Sequence, residues 1–130
     1  MTTAVPKFSQ LRVLVDDFAA SYRFYHRVLG LEPQSPEQES GPYACFKSPD
    51  GGADVALFSR ALMRSSIGAA ASGTGGGVLV LRVDEVDAAY GKAIADGAQS
   101  VAEPVDQPAW GMRVAHVRAP EGTVVEFCAY

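Results

Sequence analysis

The chain has 130 residues, 48% of them hydrophobic and 20% charged, and a formal net charge of −4. That size and balance suit one compact domain, and the 11 scattered basic residues argue against nucleic acid, whose binding needs a concentrated basic footprint. MTTAVPKF does not read as a secretory leader and no apolar run is long enough for a bilayer, so a soluble, cytoplasmic protein with no membrane partner is expected.

FSQLRVLV at 8–15 alternates apolar and β-branched residues, which predicts a strand. Asp16 or Asp17 then stands where a helix N-cap is wanted. Phe18, Tyr22, Tyr25 and Leu29 recur at helical spacing and define a buried face, with Ser21, Arg23 and Arg27 directed away from it and His26 toward solvent. Gly30 ends the helix, because glycine accepts the left-handed conformation required there. A polar loop with room for a short strand leads to YACFK at 43–47 and DVALFS at 54–59, two strands joined across Pro49-Asp50-Gly51. RALMRSSI suggests a short helix or lid, and GAAASGTGGG at 68–77 a flexible link.

The order then repeats. Strand 78–83 leads to a cap at Asp84 and a helix burying Val86, Tyr90, Ala93 and Ile94, which stops at Gly97. A short strand is expected around 99–103, and 112–118 pairs with 123–129 across Pro120-Glu121-Gly122. Residues 10–22 and 78–90 align without a gap, sharing Leu11/Leu79, Val15/Val83, Asp16/Asp84, Ala20/Ala88 and Tyr22/Tyr90. SPDGGADVALF at 48–58 is echoed by APEGTVVEF at 119–127. The reading is therefore one domain over 1–130, made of a βαβββ module at about 8–60, a link at about 61–77 and a second module at about 78–130. Cys45 and Cys128 have no metal-type spacing and read as buried thiols.

Strand parity separates two faces. Leu11, Val13, Val15, Leu79, Leu81 and Val83 suit the side under the helices. Gln10, Arg12, Leu14, Asp54, Ala56 and Phe58 fall on the other side in the first module. Val78, Val80, Arg82, Val124, Glu126 and Cys128 do so in the second. Charges make poor dry core, so this second face is expected to line a wet, ligand-sized cavity.

QLRVLVDDFAASYRFYHRVLGLEP, the RAPEGTVVEF ending and the paired modules resemble the vicinal oxygen chelate superfamily, which includes glyoxalase I, extradiol dioxygenases and bleomycin-resistance proteins. The resemblance spans Phe8 to Tyr130 and implies an α+β fold of two tandem βαβββ modules, whose curved mixed sheets form a cavity with the helices outside. In metal-using members it implies four ligands, which fall here on Gln10, Ala56, Val78 and Glu126. Ala56 and Val78 carry no donor atoms, and a catalytic zinc-type site needs about three protein ligands. No metal, no cofactor and no catalytic residue set is therefore expected.

What remains is a binding cavity. The expected ligand-contacting residues are Gln10, Arg12, Tyr43, Asp54, Phe58, Arg82, Trp110, Met112 and Glu126. Trp110, the only tryptophan, offers a stacking surface or else closes its own sheet end. Arg12 and Arg82 fall on this same face in the first strand of each module, where they either grip a planar ligand or pair with Glu126 and Asp54. Leu62, Met63 and Ile67 either add an adaptable wall or pack as a helix. The expectation is a homodimer that sequesters a hydrophobic, aromatic small molecule without metal, as the antibiotic-binding members do. The alternative is a metal-dependent lyase, isomerase or dioxygenase built on Gln10 and Glu126 with Asp54 or His116.

Overall fold

The fold comes from a computed structural model that describes residues 10–72 and 78–130, apart from the side chains at positions 36, 37 and 110. The start of the first predicted strand, residues 73–77 of the Gly-rich link and the Trp110 indole lie outside the described residues. The first half contains β1 (Gln10–Val15), helix α1 (Phe18–Arg23) continued by wider π-type turns (Phe24–Val28), β2 (Glu32–Pro33), β3 (Tyr43–Lys47) and β4 (Asp54–Ser59). Helix α2 (Arg60–Ile67) leads to the second half. There β5 (Val78–Arg82), α3 (Val86–Ala95), β6 (Gln99–Gln107), β7 (Met112–Arg118) and β8 (Val124–Ala129) follow in order.

The result is the expected α+β architecture, with two four-stranded mixed sheets ordered β1-β4-β3-β2 and β5-β8-β7-β6. They remain two sheets and do not close into a barrel. In each, the first and last strands run parallel, with Gln10 opposite Asp54 in one and Val78 opposite Val124 in the other. A parallel pair needs a crossover between its strands. The helix and the intervening strands supply it in both modules.

Parity sorts the core as predicted except at Leu11, which was expected under the helix but is 42% exposed near the start of β1. Val15, Phe46, Val55 and Leu57 are buried with Tyr22 and Tyr25 of the first helix, and Val117, Val125 and Phe127 with Val86 and Ala93 of α3. Burying a side chain such as Phe46 or Leu57 contributes about 1.5–3 kcal/mol before entropy is counted. All these residues belong to one continuous core, so the modules join through their helix-covered sides. Lys92 reinforces the join by donating to the carbonyls of Arg27 and Val28 at 2.7 and 3.2 Å.

Local signals account for the helix ends. Asp17 caps α1 by accepting from the Ala20 amide at 3.1 Å, and Gly30 turns the chain at φ +77°. Asp16 instead binds Arg60, whose guanidinium also donates to the carbonyls of Ala71 and Leu14. That buried arginine fastens α2 to the first sheet, leaving Leu62 and Ile67 exposed. The RALMRSSI segment is thus a helix anchored through Arg60 and not through the apolar side chains of Leu62 and Ile67. Both cysteines are free and buried.

Several expectations need correction. Ser21 is only 1% exposed, because its hydroxyl reaches Glu121 of the second module. His26 is half-buried, its Nδ1 2.9 Å from the Leu31 carbonyl. The cap of α3 is Glu85 rather than Asp84, without a side-chain bond, and Ile94 is exposed. Strand β6 runs on to Gln107, well past 103. Its register shifts between Ala102 and Val105, which lets the edge strand carry Pro104 without a lost ladder bond.

Candidate small-molecule site on the open sheet faces

The face of the first sheet away from α1 carries a connected cluster. Tyr43 lies opposite Phe58 in the β3–β4 register, and their rings meet edge to face with centroids 6.2 Å apart. The Arg12 guanidinium stands 5.1 Å from the Phe58 ring centre and 5.9 Å from that of Tyr43. Gln10 holds it there. Its Oε1 accepts from Arg12 Nε and Nη2 at 3.3 and 3.1 Å, and its Nε2 donates to the Tyr43 hydroxyl at 3.2 Å. Two sequence features made this possible: alternation put all four residues on one side, and the short β3–β4 connection set Tyr43 across from Phe58. The cluster presents a cation and two aromatic rings on one surface.

Asp54 shares that parity but does a local task. Its Oδ1 accepts from the Ser48 amide at 3.3 Å, closing the β3–β4 connection. The ion pairs considered for Arg12 and Arg82 with Asp54 and Glu126 are not made. Arg12 uses Gln10 and the rings, while Arg82 lies 4.3 Å from the Tyr130 ring centre.

The second sheet presents a different chemistry on its open side. His116 lies opposite Glu126, and its Nε2 is 2.9 Å from Glu126 Oε1, with both side chains mostly covered. Cys128 follows on the same row, its thiol pushed up first by burial and then by Glu126, with Arg82 partly opposing. Met112 begins the His116 row and is half-buried. The sequence offered His116 beside Glu126 only as an alternative site, and did not predict their direct contact. Two-residue parity along 112–118 and 124–129 contained the signal, once the register across the Pro120-Glu121-Gly122 turn was fixed.

Of the nine expected residues, Gln10, Arg12, Tyr43 and Phe58 come together. Arg82, Met112 and Glu126 occupy the other sheet, Asp54 serves the turn, and Trp110 lies outside the described side chains. A family model described as the glyoxalase/bleomycin resistance protein/dioxygenase superfamily matches residues 7–127. The chain belongs to this superfamily. An uncharacterized Bacillus subtilis protein, YraH, is 33% identical over 125 residues, covering 92% of this chain and 95% of that one. A glyoxalase/bleomycin resistance protein/dioxygenase from Nocardioides superposes with a TM-score of 0.74 at 27% identity, over 99% of this chain and 86% of that one. A glyoxalase-related enzyme from Fulvimarina pelagi gives 0.80 at 19% identity, over 97% and 89%, and so supports the fold alone.

Within the glyoxalase/bleomycin resistance protein/dioxygenase superfamily, one fold serves several chemistries, so the residues must decide. The four positions at which the resemblance places metal ligands do not fit an ion here. Ala56 and Val78 have no donor atom, Gln10 Oε1 is held by Arg12, and Glu126 Oε1 is held by His116. Among the described residues, no three His, Cys, Asp or Glu side chains gather closely enough to hold a metal.

Proposed function

We propose that the protein binds a hydrophobic, aromatic small molecule on its open sheet faces, without metal, and sequesters it. One observation carries the reading: Arg12, fixed by Gln10, stands beside the Phe58 and Tyr43 rings on an uncovered sheet face. A planar ligand would stack on these rings while the guanidinium meets its carboxylate, phenolate or carbonyl edge. The donor-free side chains of Ala56 and Val78 support the metal-independent part.

A panel of polycyclic antibiotics, quinones and flavins tests the proposal, read by quenching of the one tryptophan and by calorimetry. At least one compound should bind with micromolar affinity, unchanged by a chelator. Phe58→Ala and Arg12→Ala should each weaken it at least about tenfold, which corresponds to about 1.4 kcal/mol. Binding lost on chelation, or indifferent to both substitutions, would reject the proposal. The second reading, a lyase, isomerase or dioxygenase, draws on the His116–Glu126 contact, a candidate proton-transfer pair. Turnover abolished by His116→Gln would favour it.

A further inference from the structure

On the other side of the sheets, where the modules join, helix α1 and the β7–β8 turn border a groove of about 570 Å³. That volume is within the range of small-molecule sites. Three arginines line it: Arg23 and Arg27 from the first helix and its continuation, and Arg118 from the end of β7. Phe24, Val28 and Pro120 supply apolar wall between them. The chain's net charge is −4, so three guanidiniums in one groove run against its overall balance.

Among the described residues, the charges within the groove are not matched by the protein. Asp96 is the one carboxylate among the described lining residues, and Lys92 Nζ already holds it at 3.2 Å. Arg118 gives one bond to the Gly122 carbonyl at 3.0 Å, which steadies its guanidinium at the rim. The guanidiniums of Arg23 and Arg27 make no hydrogen bond or ion pair among the described residues. They sit four residues apart on a continuous helix, where like charges repel and weaken it. An anion between them would remove that repulsion.

The groove is also built to keep its shape. Glu121, in the turn beside Arg118, accepts from Ser21 at 2.8 Å and from Tyr25 at 2.7 Å, tying the turn to the helix that carries Arg23 and Arg27. A site already in its bound shape loses less freedom when occupied. A cleft lined by one sign of charge also concentrates counter-ions.

We propose that this groove binds a small organic phosphate monoester, its phosphate held by Arg23, Arg27 and Arg118 and its apolar group lying against Phe24 and Pro120. A dianionic phosphate presents three terminal oxygens, which can accept from several planar guanidinium forks at once. The site lies on the opposite side of the sheets from the aromatic cluster and is independent of the sequestration reading.

The test uses the full chain in low salt with n-hexyl phosphate as probe, followed by calorimetry and by amide chemical shifts. Binding tighter than about 1 mM is expected, with shifts at 97–99 and 118–122 and progressive loss as salt rises. Inorganic phosphate should bind more weakly and hexanol not at all. Arg23→Gln combined with Arg27→Gln should weaken hexyl phosphate at least about tenfold. Both side chains are exposed, so the fold should survive, and Arg23→Gln alone provides a milder check. Arg64→Gln, an exposed arginine of α2 outside the groove, should leave the affinity unchanged. No binding at millimolar probe, equal binding of hexanol, indifference to the double substitution, or shifts confined to β1, β3 and β4 would each overturn the proposal.

Discussion

Tyr25 donates its hydroxyl to Glu121 Oε2 at 2.7 Å across 96 positions of sequence, while Ser21 donates to Oε1 of the same carboxylate at 2.8 Å. One turn of the second module is thereby fastened to the first helix by both of its carboxylate oxygens. Glu121→Ala should leave two covered hydroxyls without their acceptor and cost about 2–3 kcal/mol. Tyr25→Phe should cost about 1–2 kcal/mol. Urea unfolding of the two single variants and the double should show a double cost below the sum of the singles, because one bond is lost in all three. Strict additivity would mean that the contact contributes nothing.

The same pair sets a pH dependence. Burial first, and the Glu121 charge next, hold the Tyr25 phenol well above the usual tyrosine range. The unfolded chain ionises this phenol near pH 10 while the folded chain keeps its proton. The contribution to stability is therefore complete below about pH 10 and is lost as pH rises from there toward the folded value. Tyr25→Phe should show a flatter alkaline decline than the parent in pH-resolved chemical denaturation. Identical alkaline slopes would contradict this assignment.

Assembly offers a third test. Val78 and Val80 on β5 are 49% and 54% exposed, and Tyr130 at the end of the chain is 72% exposed. These apolar surfaces lie on an open face that the modules do not cover for one another. Pairing with a second chain would cover them, and two-fold dimers are the commonest closed assembly. Light scattering should give twice 13.7 kDa at micromolar concentration, and Val80→Glu should shift the population toward monomer. A parent that is already monomeric would refute this expectation.

The fold was legible in the sequence because its two periods were clean. Alternation through VLVLR separated the covered from the open face, QLRVLV did so apart from the exposed Leu11, and Gly30 and Gly97 marked the helix ends. Contacts between modules were not legible. Ser21 and Glu121 are polar residues that helix and turn patterns assign to solvent, and only the docking of the halves covers them. Asp54 shows the opposite failure, since parity placed it on the open face but a nearby amide engages it first. The strand expected around 99–103 continues to Gln107 because a shift in the edge register accommodates Pro104, and a single strand's pattern does not show such a shift. His116 needed the register with Glu126, which a single strand's pattern does not contain.

Metal content gives the last prediction. Ala56 lies between Arg12 and Cys45, and Val78 lies opposite Val124. The Cys45 thiol is the one donor beside these positions and does not complete a group of three metal-binding side chains among the described residues. Gln10 and Glu126 are both engaged by neighbouring side chains, and freeing them would leave two oxygen donors where about three ligands and an open position are needed. Protein purified gently should contain no stoichiometric Zn, Ni, Mn or Fe, and a chelator should not lower its Tm. Elemental analysis near one metal per chain would reject this and revive the enzymic reading. Ala56→Glu with Val78→His supplies the complementary experiment. Restoring two donors should raise metal affinity, because the duplicated modules place these positions equivalently. If the four ligands are drawn from two chains, the stabilisation by added metal will grow with protein concentration, since occupancy then requires assembly. A concentration-independent gain would instead place all four on one chain, and no gain at all would refute the assignment of Ala56 and Val78 as ligand positions.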